Sequence, residues 1–177
     1  MKLTHTLTLP LLAALIVSCG RETTTEVRID EPAESSLTSF FVPSISDEAQ
    51  AIHVARQSAK PGDTIVLKGQ VMGASEPFVD GRAAFILGDR EKLTPCNERP
   101  GDSCKTPWDN CCDTKEAFQS GTATIQVIGD DGRVLKQGIE GVQQLQKLSK
   151  LLVRGEVAET STAGNLVINA TAIQIVD

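Results

Sequence analysis

The sequence predicts an all-β domain built as a small closed Greek-key barrel, and three observations carry that reading. Residues 64–72 alternate, with Ile65, Leu67, Gly69 and Val71 on one side and Lys68 and Gln70 on the other. That is the two-residue period of a half-buried strand. Residues 151–157, Leu-Leu-Val-Arg-Gly-Glu-Val, repeat the pattern of apolar, any, apolar, basic, Gly, polar, Val. A Gly inside a strand weakens it unless the strand must bend, bulge or take another backbone close by. Two such strands, each opening one half of a small sheet, fit a sheet that closes on itself.

The elements follow in order. A helix is predicted over residues 46–60, capped by Ser46, with Asp47 and Glu48 at its positive end and Ala49, Ile52, His53 and Arg56 at helical spacing. Pro61-Gly62-Asp63 ends it and turns into the first strand. Residues 73–81 are a turn-rich link, and the second strand is 82–87, closed by Gly88-Asp89. Residues 90–119 break the rhythm and form an insertion. The third strand is 122–128, followed by the turn Gly129-Asp130-Asp131-Gly132 and a short return strand over 133–136. Ile139, Val142, Leu145 and Leu148 recur every three residues, which predicts a short helix over 139–147. The fourth strand is 151–158, a polar turn spans 160–165, and the last strand is 166–176, apolar in both of its phases.

Strand, strand, strand, short helix, strand, strand, with paired Gly-centred strands, resembles the OB-fold, a five-stranded Greek-key barrel. The resemblance covers about residues 61–177 and rests on element order and glycine placement. It implies ligand binding on the face of the second and third strands. With Phe85, Ile125 and Val127 inward, that face offers Arg82, Ala84, Ile86, Thr124 and Gln126. No aromatic platform for stacked bases is among them. The chain is also acidic, at −6 formally, which repels phosphate backbones. Nucleic acid is therefore disfavoured as a partner. Arg82, Thr124, Gln126 and Trp108 are the candidate contacts to a protein or small-molecule ligand.

The N-terminus carries an address. Residues 1–18 start with Lys2, continue as an apolar run over 7–17, and end in Ile16-Val17-Ser18-Cys19-Gly20. This resembles the lipobox of bacterial lipoproteins. The resemblance implies cleavage before Cys19, lipid on its sulfur and amine, and anchoring in the cell envelope by two or more acyl chains. Gly20 in place of Asp implies the outer membrane, facing the periplasm. Residues 19–45, rich in Thr, Glu and Pro, read as a flexible acidic tether, which leaves 46–177 as the domain. Phe40, Phe41 and Val42 are its expected first docking residues.

The insertion holds Cys96, Cys104, Cys111 and Cys112 in the spacing C-x7-C-x6-C-C. Its Thr106-Pro107-Trp108-Asp109 stretch before adjacent cysteines is similar to a recurring segment of exported bacterial proteins. With few large side chains the loop cannot hold itself by burial, so a covalent or metal staple is expected. In an exported chain four cysteines read first as two disulfides. Pairing adjacent residues is strained, which leaves Cys96–Cys111 with Cys104–Cys112, or Cys96–Cys112 with Cys104–Cys111. The alternative is a zinc or cuprous site on the same four sulfurs. No cofactor and no catalytic set is read. Apart from His5 in the leader, His53 is the only histidine, so no Ser/His/Asp arrangement or paired-His metal site can form. The expected function is a membrane-anchored, non-enzymatic binding module, with a metal-binding envelope protein as the alternative.

Overall fold

The computed structural model describes residues 36–176. Leader residues 1–18, Cys19 and most of the tether lie outside them. The strands are β1 Gln50–Ala51, β2 Thr64–Val71, β3 Ala84–Gly88, β4 Thr122–Gln126, β5 Lys150–Val157 and β6 Leu166–Val176, and the helices are α1 Ile52–Ser58 and α2 Lys115–Gly121. Five strands close a ring in the order β2-β3-β4-β6-β5, with β5 returning to β2 from Thr64↔Glu156 to Gln70↔Lys150. Four of its contacts are antiparallel, while β4 and β6 run parallel from Ala123↔Leu166 to Gln126↔Asn169.

The strand period decides what fills the ring. Leu67, Val71, Phe85, Leu87, Ile125, Val153, Ile168 and Ile173 are all fully buried in one cluster. Phe85, Ile125 and Val127 do point inward as their alternation requires. β6 changes phase on the way, because its pairing with β5 slips between Arg154↔Ala172 and Gly155↔Ala170. Thr171 is the extra residue, and its hydroxyl donates to the Arg154 carbonyl at 3.2 Å. This bulge explains why both phases of β6 are apolar: Ile168 and Ala170 face the core before it, and Ile173 after it.

Both mid-strand glycines stand where another strand comes close. A Cβ on Gly69 would lie 2.7 Å from Leu87 Cγ and 2.8 Å from the Gly88 carbonyl. A Cβ on Gly155 would lie 2.6 Å from Ile168 Cγ2 and collide with the Asn169 carbonyl.

Two predicted helices need correction. Residues 46–51 are not helical, and Ser46 caps nothing. Val42, Ile45 and Ala49 instead lie extended over Val66, Leu152 and Ala172 on the outside of the barrel. Ile45 N–H donates to the Gln174 side chain at 2.7 Å, Asp47 pairs with Arg154 at 3.1 Å, and Gln50–Ala51 adds to β2. Apolar residues three to four apart serve a docked extended strip as well as a helix. Packing also reaches back into the expected tether, since Leu37 is fully buried and Phe41 bridges to Ile173. Residues 139–147 are a loop with one 3-10 turn, Val142–Gln144, because Gly141, Gln143 and Gln144 all take positive φ. Ile139 and Leu145 still plug the core, so the three-residue spacing marked burial rather than a helix.

α1 starts without a cap from its own segment. The carboxylate of Asp89, 2% exposed, supplies one from the end of β3: Oδ2 accepts from His53 N at 2.9 Å and lies 2.8 Å from His53 Nδ1. Oδ1 accepts from Glu91 N at 2.8 Å. His53 is thus held in place by Asp89 at the start of α1. Asp89→Ala strands these donors in a buried place, and each unsatisfied group costs about 1–3 kcal/mol. The expected loss is about 2–4 kcal/mol of unfolding free energy in urea, whereas an Asp without structural work would lose less than about 0.5 kcal/mol.

Candidate metal centre

The insertion is held by its backbone. Cys96 N donates to the Asp109 carbonyl at 2.7 Å and Asn97 N to the Pro107 carbonyl at 3.0 Å, so 96–97 pair with 107–109. Asp113 accepts from Thr94 N at 3.0 Å and pairs with the half-buried Arg99. Asp109 ends a turn, taking Asn110 N at 2.7 Å and the Thr106 hydroxyl at 3.5 Å. α2 follows directly, with Thr114 as its cap: Ala117 N donates to Thr114 Oγ1 at 3.1 Å. This helix lies inside the segment 90–119 expected to be irregular, and its sequence signal is Thr114 followed by Glu116 in the first turn.

Trp108 anchors the loop to the barrel rather than plugging the loop itself. Its Nε1 donates to the Ser75 carbonyl at 2.8 Å, and Lys147 Nζ sits 4.4 Å from the ring centre. The link 73–76 and the loop before β5 are therefore tied to the insertion through one indole.

The cysteines converge, but not as disulfides. The closest approach is 3.7 Å, between Cys96 Sγ and Cys111 Sγ, against about 2.05 Å for a bond. Neither of the two expected bridge patterns is formed, and the described cysteines are free. Cys104 Sγ lies 4.0 Å from Cys111 Sγ, and the sulfurs of Cys96, Cys104 and Cys111 all fall within 4.8 Å of one another. Cys112 Sγ is 4.0 Å from Cys111 Sγ but outside that set. Exposure is graded: Cys96 is buried, Cys104 intermediate, Cys111 and Cys112 exposed.

Proton affinities follow from these contacts. The proton that Cys111 shares with the Cys96, Cys104 and Cys112 sulfurs is held by them, which pushes Cys111 up to about 12. Burial pushes the Cys96 thiol up as well. The Thr106 hydroxyl, 3.5 Å away, holds Cys104 below its ordinary value. Cys104 is thus easier to deprotonate than Cys96 and Cys111, whose protons a bound cation would displace.

Thr124 donates to the Asn165 side chain at 3.3 Å, and Gln126 Nε2 to Asn169 Oδ1 at 2.7 Å, so both are engaged by β6 or the turn before it. Arg82 sits exposed in the turn before β3. Among the described residues no hydrogen bond or ion pair joins Arg82 or Trp108 to Thr124 or Gln126. The cysteine cluster was visible in the sequence as a content of four; that three sulfurs meet was not, because it depends on the fold of the insertion.

No protein-family model, no curated protein and no solved structure matches the chain.

Proposed function

We propose that this chain is an envelope lipoprotein whose OB-fold barrel carries a thiolate site for one soft metal ion, zinc or cuprous copper, with Cys96, Cys104 and Cys111 as its core ligands. The observation that carries the reading is the sulfur triangle. Four sulfurs about 2.3 Å from a tetrahedral zinc are about 3.8 Å apart, and two of the three separations here are 3.7 and 4.0 Å. Soft thiolates select zinc, cuprous copper or iron–sulfur clusters over hard cations. The loop's backbone bonds hold these sulfurs without any S–S bond, which favours a metal over a covalent staple.

The Greek-key, OB-type assignment draws support from the ring order β2-β3-β4-β6-β5 and from the parallel β4–β6 pair. The chain works by binding rather than catalysis, with the insertion, not the β3–β4 face, as the place of binding. A protein or small-molecule partner would meet it there. Nucleic acid has neither charge nor stacking platform in its favour.

Titration of the reduced protein with zinc and with cuprous copper tests the site. One equivalent bound per chain at sub-micromolar affinity supports it, and no uptake of either ion contradicts it. Anchoring rests on Ile16-Val17-Ser18-Cys19. Cys19→Ala should move the protein from the membrane to the soluble fraction. Unchanged partition, with an unmodified Cys19 by mass spectrometry in the wild type, would remove the lipoprotein part of the reading.

A further inference from the structure

We propose that Cys96, Cys104 and Cys111 form a three-coordinate site for cuprous copper, and that Cys112 is the thiol through which the ion enters and leaves. The inference rests on the metal reading above and specifies the ion and its traffic. A structural zinc site is closed by four ligands, and three-ligand zinc sites complete themselves with water. Here three sulfurs meet, and among the described residues no histidine or carboxylate joins the set. Three thiolates leave a divalent zinc ion one ligand short. The same three complete a monovalent d10 copper ion, which is stable in trigonal sulfur coordination.

The fourth thiol explains the rest of the arrangement. Cys112 follows Cys111 in the chain, is exposed, and keeps its sulfur 4.0 Å from Cys111 Sγ while remaining outside the triangle. The cluster thus runs from solvent inward, from the exposed Cys111 and Cys112 through the half-buried Cys104 to the buried Cys96. A concavity lined by Gly73, Ala74, Asn110, Cys111, Thr114 and Phe118 opens beside the exposed end. Loading is ligand exchange. A Cu–S bond to Cys112 forms as a bond to the donor's sulfur breaks. Bonds to the Cys111, Cys104 and Cys96 sulfurs then form as the remaining donor bonds and, last, the Cu–Cys112 bond break. The three ligand thiols lose their protons to water, the released donor thiolates take protons up, and Cys112 regains its own. Copper remains cuprous, so no electron moves. The fitting partner is a copper carrier with exposed thiolate or thioether ligands.

The test loads the reduced full chain with one equivalent of cuprous ion and challenges it with a chromogenic cuprous chelator. Cys96→Ser and Cys111→Ser should each lower copper affinity by at least about a hundredfold. Cys112→Ser should cost at least about tenfold less than either, yet slow both loading and release by about tenfold or more. X-ray absorption should count three sulfurs in the wild type. A four-sulfur shell, or an affinity loss in Cys112→Ser equal to that in Cys96→Ser, overturns the proposal and leaves a closed four-thiolate site. Uptake of zinc in preference to copper overturns the ion assignment while the metal reading stands. Uptake of neither removes both.

Discussion

If the cysteine triangle holds a metal as proposed, Cys96→Ala should abolish tight metal binding while leaving the barrel folded. Four-ligand zinc sites in small domains bind with about 10–16 kcal/mol, so one thiolate carries about 3 kcal/mol or more. At 1.4 kcal/mol per tenfold, that is a loss above about a hundredfold. Cys96 is the ligand of choice for the test because its position is fixed. Its sulfur is buried, its N–H is bonded to the Asp109 carbonyl, and its own carbonyl accepts from Arg99 N at 3.0 Å. Loss of the sulfur cannot be made good by a neighbour swinging in, as it can at an exposed position. The packing cost of removing one small buried side chain is about 1 kcal/mol, which spares the barrel, so far-ultraviolet dichroism should match the wild type. Undiminished binding by competitive titration would show that the triangle is not a ligand set.

Gly155→Ala destabilises the barrel by about 2–4 kcal/mol, the range of overpacking a tight interior. The added methyl has nowhere to go. Ile168 Cγ2 is 2.6 Å from its ideal position, Ala170 Cα is 3.0 Å away, and the Asn169 carbonyl is closer than either. Two of these three neighbours are backbone of β6, which is held by β4 on one side and β5 on the other and cannot retreat. Gly69→Ala shares the sign, because Leu87 Cγ at 2.7 Å and the Gly88 carbonyl at 2.8 Å both stand in the way of the new methyl. Gly138→Ala is the control, with nothing within 4 Å of the new atom, and should stay within about 0.5 kcal/mol of wild type. Equal denaturation midpoints for Gly155→Ala and Gly138→Ala would mean that the strands do not cross as described.

These two sites also mark what the sequence made legible. Gly69 and Gly155 could be read because a glycine inside an alternating strand has few reasons to exist, and close approach is one of them. The last strand was equally plain, since a polar turn and then eleven β-prone residues leave one interpretation. The bulge at Thr171 was hidden: two apolar phases look the same whether the strand is buried on both faces or switches face midway. The strip 42–49 and the loop 139–147 show the complementary failure. Ala49, Ile139 and Leu145 sit at a spacing that marks burial and were assigned to helices, while Val42 was expected to dock and Ile45 was placed in the tether. Register with β2 and β6, and positive φ at Gly141, Gln143 and Gln144, are set by tertiary neighbours that no local window contains. Asp89 is the same problem in one residue. Nothing near it in sequence says that its carboxylate will cap a helix 36 residues upstream. For the site, the four cysteines were plain, and the export expected from the leader was the natural argument for disulfides. The separation of sulfurs around Cys111 became visible only once 96–97 were paired with 107–109.

The decisive measurement is a metal and free-thiol count on the protein isolated from the cell envelope without reductant or chelator. The account predicts about one zinc or copper ion per chain by elemental analysis. It further predicts that Cys96, Cys104, Cys111 and Cys112 all titrate as thiols once the ion is removed under denaturing conditions. Protein with no metal and with these four cysteines joined in two disulfides would contradict it.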